Sequence, residues 1–474
     1  MGPGGRCPAN FPQANSYSVP DLRSPGSGTR EVFASRPRRR NQGGEAMALH
    51  DYTFYDLINR NAVCFRDRPA WLEVDDGRRM SFGEVKHHVD RLAAGLQRAG
   101  VAKGGRIGVL GKNSLEYFLL YGAAAAIGAI VLPINWRLSG DEVIFNLNDG
   151  SPKLLFVDAE YQSMIEAARG RLTSVARCFN LKPPGGEFDD FTALMDTAAD
   201  SGPVEVGDGD GLVIIHTAAV AGRPRGALLT HRNVISANVH LNLLLHLSPA
   251  DVHLNLLPLF HVGGLFMATM AFHAGALNVN MSKFDAARAV ELIAEEKVTV
   301  LFDFAPILSS LLEAQAKSGR PIDSLRHVVG IEAAEAIEKY QKATGGTFYV
   351  LYGQTETSAL ATLGRYNDRP GSAGRTIALA DVKLVDENDR PVAAGEVGEI
   401  AVKGPTVFSG YWNLPQDTEY AFRGGWHHTG DMGRFDAEGF LFYAGRKPEK
   451  ELIKPGGENV YPAEVERTLR EHPD

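Results

Sequence analysis

The chain has 474 residues, 44% of them hydrophobic and 22% charged, a balance that predicts a large buried core and more than one domain. The formal net charge of −8 provides no basic surplus of the kind that binds nucleic acid. The three cysteines, Cys7, Cys64 and Cys178, are too scattered for a disulfide framework or a metal site, and they suit a reducing cytoplasm.

The first 46 residues differ from the rest of the chain. They are rich in Gly, Pro, Ser and Arg, and they lack both apolar periodicity and the apolar core of a signal peptide. We interpret residues 1–46 as a disordered leader, either a transit-like segment or an extension upstream of the true start. Helical periodicity begins at Met47, where the first folded domain is expected to start.

From about residue 70 the chain alternates short apolar strands with amphipathic helices. The predicted strands are 107–110, 154–157, 212–215 and 298–302. The predicted helices are 82–98, 285–296 and 307–317. Such alternation is typical of parallel sheets with crossover helices. After about residue 365 short strands such as 381–385 and 399–403 are separated by turn residues, which predicts an antiparallel β-rich subdomain.

Two uncharged stretches, 117–136 and 252–282, raise the question of a membrane span. The first predicts an Ala-rich buried helix that runs into a strand at 130–132, closed by Pro133. The second is interrupted by Pro258, Gly263, Gly264 and Gly275. Both stretches therefore predict buried core, and no integral membrane segment is expected.

A loop of small residues follows the predicted strand at 212–215. From Ile215 to Gly226 it reads Ile-His-Thr-Ala-Ala-Val-Ala-Gly-Arg-Pro-Arg-Gly, and a helix capped by Thr230 is predicted directly after it. A strand, a small-residue loop with cations and a helix can present backbone N–H groups to phosphate. The same pattern alone also fits an ordinary tight turn.

Four further segments carry polar side chains suited to a ligand pocket. His261 lies between an aromatic residue and paired glycines. In Leu-Tyr-Gly-Gln-Thr-Glu-Thr, Tyr352 offers a flat face for a base, Thr355 a hydroxyl for a phosphate and Glu356 a hard oxygen for Mg²⁺. Asp431 ends Gly-Trp-His-His-Thr-Gly-Asp and could accept from two ribose hydroxyls. The last segment, 454–466, is Lys-Pro-Gly-Gly-Glu-Asn-Val-Tyr-Pro-Ala-Glu-Val-Glu. Singly, each could be a core residue or a surface turn.

The order and spacing of these segments closely resemble the AMP-forming superfamily of acyl-CoA synthetases, peptide-synthetase adenylation domains and firefly-type luciferases. The resemblance covers about residues 50–474 and includes the connecting stretches 370–374, 395–400 and 410–413. It implies an α/β fold whose large N-terminal domain, 47–445, has two parallel-sheet α/β subdomains and a β-rich, barrel-like subdomain. Residues 446–474 would then be the hinge and the truncated start of a small α+β lid domain.

In that superfamily a carboxylate attacks the α-phosphorus of ATP, releasing pyrophosphate and leaving an acyl-adenylate. A thiol, usually that of coenzyme A, then expels AMP. No protein nucleophile is needed, so catalysis is positioning and charge stabilisation. The resemblance implies a ligase that uses ATP, Mg²⁺ and coenzyme A with a small carboxylic acid. The oligomeric state stays open between monomer and homodimer.

The resemblance also assigns roles to matching residues. As catalytic residues, Thr355 should contact the α-phosphate, Glu356 should hold Mg²⁺, His261 should border the acyl pocket and Arg225 should act at the phosphate loop. Tyr352 should pack against adenine, and Asp431 should bind the ribose hydroxyls with help from Arg446. The other nucleotide-binding matches are Thr217, Gly222, Gly226, Gly330, Ile331, Gly353, Lys450, Lys454, Gly456 and Gly457.

Three departures from the superfamily pattern matter. The usual phosphate loop, Thr-Ser-Gly-Thr-Thr-Gly-x-Pro-Lys-Gly, here keeps Thr217 but loses the three hydroxyls that would hold the β- and γ-phosphates. It also loses the flexible glycine and carries Arg225 in place of Lys. The replacements are Ala218, Ala219, Val220 and Ala221. Losing one charge-assisted hydrogen bond costs roughly 1.5–3 kcal/mol, so weaker pyrophosphate handling is expected. The hinge is two residues longer than usual, which makes Lys450 the match to the hinge residue. In the third departure, no residue up to Asp474 matches the adenylation lysine of the lid.

The leading interpretation is therefore a carboxylate–CoA ligase for a fatty or aryl acid. The altered loop also permits a catalytically weakened nucleotide-binding paralogue, and an adenylation domain that loads a carrier protein is a third possibility. Luciferase chemistry is supported by fold analogy alone. The segment 262–272 is apolar, which favours an aliphatic or aryl acid over a charged amino acid.

Overall fold

The computed structural model describes residues 51–182, 185–195, 202, 204–217 and 223–447. The helices in this part of the chain are α1 (Phe54–Cys64), α2 (Phe82–Arg98), α3 (Leu115–Ile127), α4 (Gly140–Gly150), α5 (Ala159–Ala167), α6 (His231–Leu245), α7 (Val262–Ala274), α8 (Ala286–Glu296), α9 (Ile307–Ser318), α10 (Ala334–Thr344) and α11 (Pro415–Ala421).

The strands of the same residues form three sheets. They are β1 (Pro69–Glu73), β2 (Arg79–Ser81), β3 (Arg106–Leu110), β4 (Ile130–Ile134), β5 (Leu154–Val157), β6 (Arg177–Asn180), β7 (Asp189–Asp190), β8 (Gly211–Thr217), β9 (Arg225–Thr230), β10 (Val252–Asn255), β11 (Leu277–Asn280), β12 (Val300–Phe304), β13 (His327–Ile331), β14 (Thr347–Tyr352), β15 (Thr362–Arg365), β16 (Arg375–Thr376), β17 (Asp381–Val385), β18 (Gly398–Lys403), β19 (Gly410–Tyr411), β20 (His427–Phe435) and β21 (Leu441–Arg446).

Local capping signals fix several helix boundaries. Ser81 accepts from the backbone N–H of the third residue of α2, and the Glu84 side chain accepts in return from the backbone of Ser81. Thr230 and Asn233 make the same reciprocal pair at the start of α6. At its C-terminal end α3 stops at Gly128, whose φ of 67° suits glycine. These signals are readable in the sequence, and the predicted helix at 82–98 is confirmed as α2.

The largest sheet has nine strands in the order β16-β15-β14-β13-β12-β10-β11-β1-β2. The pairs from β14 through β1 are parallel, and β2, β15 and β16 add antiparallel edges. The strand predicted at 298–302 lies two residues later, as β12. Side chains from this sheet share one apolar cluster with α8, α9 and α10.

The second sheet has eight strands in the order β19-β9-β8-β4-β3-β5-β6-β7. Successive side chains of its parallel strands point to opposite faces, as strand geometry requires. Ile107, Val131 and Val213 join a cluster with α1, α2, α3 and α7. Leu110, Leu132 and Ile214 join a separate cluster with α4 and α5. Helices therefore cover both faces, and the predicted parallel α/β architecture is confirmed.

Two details of the sequence interpretation are wrong. Strand β4 continues through Pro133 to Ile134, because its register with β8 covers only Val131 and the missing N–H therefore costs no ladder bond on that side. The glycines at 263 and 264 do not interrupt the second uncharged stretch but lie in the first turn of α7. A Cβ on Gly264 would stand 2.2 Å from the carbonyl oxygen of Pro258, so the close packing of this turn requires glycine.

The third sheet is antiparallel, in the order β17-β18-β20-β21. It confirms the predicted change of pattern after the parallel sheets. Its apolar cluster combines Leu384, Ile400, Val402 and Leu441 with Tyr352, the last residue of β14. The third sheet is thereby packed against the end of a strand of the first.

Both uncharged stretches are core elements, as the sequence predicts. The first comprises most of α3 followed by β4, and the second comprises β10, α7 and β11. Every residue of α7 from Val262 to Phe272 is buried, which is the pattern of a helix enclosed on all sides. Over the described ranges, the helices are all too short or too polar to span a bilayer.

A buried carboxyl group stands where β1 meets the start of α3. Glu73 is 2% exposed, and it accepts hydrogen bonds from the backbone N–H of Leu115 at 2.8 Å and from Asn280 Nδ2 at 3.1 Å. Burial raises the pKa of Glu73 from 4.5 to about 7, although the hydrogen bonds from Asn280 and Leu115 act to lower it.

This raised pKa predicts a pH dependence of stability. Between about pH 4.5 and about pH 7 the unfolded chain loses the Glu73 proton while the folded chain retains it, so stability falls as pH rises through this window. The total is of the order of 3 kcal/mol at about 1.4 kcal/mol per pKa unit. Glu73→Gln should flatten the decline of the thermal unfolding midpoint across this range, and the exposed control Glu313→Gln should not. Equal slopes in wild type and Glu73→Gln would contradict the assignment.

Candidate active site

The candidate site lies at the carboxyl ends of β13 and β14, where parallel α/β sheets commonly bind ligands. β13 ends at Ile331, whose side chain is 56% exposed, and β14 ends at the buried Tyr352. Glycines permit close backbone approach here. A Cβ on Gly330 would stand 2.0 Å from the carbonyl oxygen of Asp303, and one on Gly353 would stand 2.2 Å from the Ala359 backbone.

Asp431 connects the two sheets that meet at this edge. Its Oδ2 accepts from the Tyr352 hydroxyl at 2.8 Å and from Gln354 Nε2 at 2.9 Å. Its Oδ1 lies 2.9 Å from Arg446 Nε. Asp431 is on β20 and Arg446 is its partner in the β20–β21 register. Asp431, the residue expected to bind ribose, is therefore in direct contact with both Tyr352, the residue expected to pack against adenine, and Arg446.

The protonation states in this group follow from burial and charge. Burial and the Asp431 carboxylate hold the pKa of Tyr352 well above its usual value, so the hydroxyl remains a donor. Burial acts to lower the pKa of Arg446, but Asp431 and Tyr443 outweigh it and the pKa rises. Tyr443 also stacks on Tyr352, with 6.3 Å between ring centroids. The group is thus one carboxylate held by fixed donors beside two aromatic rings.

Glu399 contacts Gly430 and Lys447, the residues next to Asp431 and Arg446 in the chain. It is 3% exposed on β18, and its Oε2 receives Arg423 Nη2 at 2.9 Å and Lys447 Nζ at 2.8 Å. Its Oε1 accepts from the backbone N–H of Gly430, the residue before Asp431. Burial acts to raise the pKa of Glu399, but hydrogen bonds with His428 and Lys447 outweigh it and the pKa lies well below its usual value.

The acidic residue of the turn after β14 has its own partner. Glu356 is 6% exposed, and its Oε1 accepts from the Tyr411 hydroxyl at 2.8 Å. The guanidinium carbon of Arg225 lies 4.0 Å from the centroid of the Tyr411 ring. Thr355 is buried in the same short turn. Burial and the nearby Glu356 raise the pKa of Tyr411 well above its usual value, so its hydroxyl is protonated.

The elements around the phosphate loop differ from the expected strand, loop and helix. Arg225 and Gly226 begin strand β9, which pairs antiparallel with β8, and Thr217 lies opposite Arg225 in the register. Helix α6 begins only after β9 has ended at Thr230. The first turn of α6 is therefore separated from the loop by a whole strand, so the order found here is strand, loop, strand and helix.

His261 is the N-cap residue of α7. Its Nδ1 accepts from the backbone N–H of Gly263 at 3.2 Å, and its ring meets Phe304 edge to face, with 6.1 Å between ring centroids. Phe304 is the last residue of β12, next to β13 in the sheet. The capping bond uses one ring nitrogen as an acceptor. It also fixes the orientation of the imidazole.

The structure brings six of the predicted residues into two groups, with Tyr352, Asp431 and Arg446 in one and Thr355, Glu356 and Arg225 in the other. The other predicted residues in the described part of the chain are not members of either group: Thr217, Gly226, His261, Gly330, Ile331 and Gly353. The assignments that fall on residues 218–222 and 448–474, which lie outside the described part of the chain, stay predictions. They are Gly222, Lys450, Lys454, Gly456 and Gly457.

Sequence reasoning missed the residues that hold the others in place. Tyr411 and Glu399 lie in stretches that were noted only as connections, 410–413 and 395–400. Gln354 lies inside a motif but was given no role. A charged residue directly before the apolar run Ile-Ala-Val, as Glu399 is in β18, is the available signal. No spacing rule could have indicated that Tyr411 reaches Glu356, because the contact joins residues 55 positions apart.

Comparison with known proteins supplies the family. The family model described as AMP-binding enzyme matches residues 58–412. The chain is similar to an indoleacetate–CoA ligase of Aromatoleum aromaticum, with 36% identity over 406 residues that cover 84% of this chain and 79% of the relative. It is also similar to the long-chain-fatty-acid–CoA ligase FadD13 of Mycobacterium tuberculosis, with 33% identity, 87% of this chain and 82% of the relative covered.

A solved structure extends the likeness to the fold. It is a crystal structure of a protein from Rhodopseudomonas palustris CGA009 that carries the provisional name long-chain-fatty-acid CoA ligase. It matches with a TM-score of 0.80 at 45% identity and covers 84% of this chain and 100% of that chain.

The buried charge of Glu399 predicts a large cost for its removal. Glu399→Gln would leave Arg423 and Lys447 without their shared carboxylate, at a cost of roughly 3 kcal/mol, and the thermal unfolding midpoint should fall by several degrees. Asp389→Asn is the matched control, because Asp389 contacts the same Arg423 from an exposed position. Its effect should be below about 1 kcal/mol. Similar thermal unfolding midpoints for the two variants would show that the Glu399 carboxylate does not stabilise Arg423 and Lys447 as expected.

Proposed function

The chain belongs to the AMP-binding enzyme family and is an AMP-forming acid–CoA ligase, and we propose that its acid substrate has an uncharged aryl or aliphatic group. ATP and coenzyme A are the co-substrates of this family. The observation that carries the proposal is a group of apolar side chains beside the candidate site, around a cavity that has room for about one water molecule and must widen to admit an acyl group. The cavity is lined by Leu241, Gly263, Phe266, Met267, Phe302, Leu351, Ala359 and Leu360.

The position of this cavity suits the acyl group. Leu351 immediately precedes Tyr352, and Ala359 and Leu360 follow the turn that carries Glu356. Gly263 is the residue whose N–H is bonded to His261. A charged substrate group would be desolvated among these side chains without a partner, whereas an aryl or alkyl group would bury apolar area. The two named relatives, ligases of indoleacetate and of long-chain fatty acids, are consistent with this preference.

We expect the nucleotide to bind along the Asp431 group. Asp431 is held by Tyr352, Gln354 and Arg446, so its carboxylate is fixed as an acceptor for ribose hydroxyls. The exposed side chain of Ile331 and the Tyr352 ring offer apolar contacts for adenine. Gly330 packs closely against the Asp303 backbone and Gly353 against the Ala359 backbone, so the chain beside Tyr352 is closely packed before the ligand arrives.

The residues present fit a magnesium ion. Glu356 supplies a carboxylate oxygen, the ligand type that Mg²⁺ prefers, and only its Oε1 has a hydrogen-bond partner within the described residues. Mg²⁺ commonly takes one or two carboxylates together with substrate phosphates. Bound there, the ion would neutralise developing phosphate charge. Thr355 and Arg225 would add a hydroxyl and a guanidinium at the same phosphates.

The chemistry required of the protein is positioning. The acid carboxylate attacks the α-phosphorus, pyrophosphate leaves, and the thiol of coenzyme A then displaces AMP from the acyl-adenylate. Each step transfers a group between substrates, so the side chains orient and neutralise but form no covalent bond. Arg225 would place a permanent positive charge near the phosphates, since arginine is not deprotonated in proteins, whereas Arg446 is paired with Asp431 at the expected ribose position.

A weakened nucleotide-binding paralogue remains a second candidate. Its support is the replacement of the loop hydroxyls by Ala218, Val220 and Ala221. The two candidates separate in one experiment. Pyrophosphate release should be measured on the purified protein with ATP, Mg²⁺ and coenzyme A against aryl acids, straight-chain fatty acids and charged amino acids. Turnover with aryl or fatty acids supports the ligase, turnover confined to charged amino acids contradicts the proposed substrate class, and AMP binding without turnover favours the paralogue.

Glu356→Gln tests the metal assignment. We expect acyl-adenylate formation to fall at least about tenfold, which is about 1.4 kcal/mol of barrier stabilisation. The apparent Mg²⁺ requirement should rise as well, while AMP binding in EDTA should be unchanged. The control is Glu335→Gln, because Glu335 is exposed on α10 and pairs with Lys339 alone among the described residues. An unchanged rate and unchanged Mg²⁺ dependence for Glu356→Gln would refute the role.

A further inference from the structure

We infer that Tyr411 is a positioning residue that orients Glu356 with its hydroxyl and Arg225 with its ring. The inference rests on the proposed role of Glu356 toward Mg²⁺. It assigns to Tyr411 a task that an ordinary buried tyrosine would not have, namely the orientation of two oppositely charged side chains by two parts of one ring.

The hydroxyl end of Tyr411 fixes the carboxylate. The hydrogen bond from Tyr411 Oη to Glu356 Oε1 is 2.8 Å long and buried. It occupies one carboxylate oxygen with a neutral donor. A neutral donor leaves the full negative charge of Glu356, whereas an arginine partner would neutralise it. The oxygen Oε2 is therefore available to a cation while the rotamer of Glu356 is restrained.

The ring face of Tyr411 fixes the guanidinium. The 4.0 Å distance from the Arg225 guanidinium carbon to the ring centroid is a close cation–π contact. Within the described residues the ion pair of Arg225 is with Asp417, at a loose 3.7 Å. Stacking restrains the planar guanidinium without consuming its N–H donors on a carboxylate. Those donors can then serve phosphate oxygens.

The backbone makes this arrangement stiff. Tyr411 is on β19, which pairs with β9, and Tyr411 lies opposite Ala227, two residues from Arg225. The N–H of Trp412 donates to the carbonyl of Gly226 at 2.7 Å. On the other side, the N–H of Phe408 donates to the carbonyl of Glu356 at 2.9 Å. Strand β19 therefore links the strand of Arg225 to the turn of Glu356 independently of their side chains.

The contact on the ring face suits arginine at position 225. A guanidinium presents a plane that can lie on the Tyr411 ring, whereas a lysine ammonium is a compact charge with no plane to stack. Tyr411 thereby contacts both charged side chains, one through its ring and one through its hydroxyl.

Tyr411→Phe is the sharpest test, because it removes only the hydroxyl and retains the ring. We expect the affinity for Mn²⁺, measured by electron paramagnetic resonance with a non-hydrolysable ATP analogue, to fall about fivefold or more. AMP binding in EDTA, measured by calorimetry, should change by less than about twofold, since the Asp431 group is untouched. The matched control is Tyr420→Phe, which alters an exposed tyrosine on α11. Unchanged Mn²⁺ affinity, or an equal loss of AMP binding, would overturn the inference.

Arg225→Lys tests the contact between Arg225 and the ring face of Tyr411. It retains the charge but loses the stacked plane, so ATP binding should weaken by several fold while metal-free AMP binding is retained. This variant keeps the inference testable if Tyr411→Phe fails to fold, as a thermal melt would show, and unchanged ATP affinity in Arg225→Lys would contradict it. Glu356→Gln distinguishes the metal assignment of Glu356 from the positioning role of Tyr411. If Glu356→Gln leaves Mn²⁺ affinity unchanged, the metal assignment fails; if only Tyr411→Phe is without effect, the positioning role alone fails.

Discussion

The carboxylate of Asp431 is the interaction on which the candidate site depends. It lies on the four-stranded antiparallel sheet, and it is bonded to Tyr352 and Gln354 at the end of a parallel strand of the nine-stranded sheet. Two sheets with different strand directions are thereby joined through one buried acid. A buried charge is tolerated only when its hydrogen-bonding capacity is met, so the contact specifies how the two sheets meet. The position of Asp431, for which ribose binding is expected, is therefore set by contacts between the two sheets as well as by its own motif.

A second buried carboxylate, that of Glu399, also has its hydrogen-bonding capacity met by fixed donors. Glu399 compensates Arg423 and Lys447, and it also binds the backbone N–H of Gly430. Lys447 directly follows Arg446, and its own N–H donates to the carbonyl of Gly430 at 3.0 Å. Asp431 and Arg446 thus sit on two strand segments that one buried carboxylate ties together. Orientation that is set before binding reduces the entropy that the ligand must lose, which is how a site without a nucleophile can still accelerate group transfer.

The sequence was sufficient for elements whose signals are local. Helix α2 follows from its capping box and apolar periodicity, and the strands near 107 and 154 follow from short apolar runs. It was insufficient where a tertiary contact decides. Pro133 lies within a strand because it pairs with β3 on one side while β8, on the other side, does not pair there. Arg225 lies on a strand because β9 is paired on both sides, by β8 and by β19. The motif residues were identifiable, but Tyr411 and Glu399 were not, because their contacts join segments distant in the chain.

The strand at Arg225 changes how the altered phosphate loop should be understood. A helix N-terminus would offer phosphate a fixed set of backbone donors whatever the side chains, but here α6 begins only after β9. An arginine on a strand can offer several N–H donors in the direction in which its side chain is held, and the Tyr411 ring restrains that of Arg225. The hydroxyl of the same tyrosine bonds to Glu356. The arginine at position 225 and the acidic residue of the turn after β14 therefore share one partner on β19.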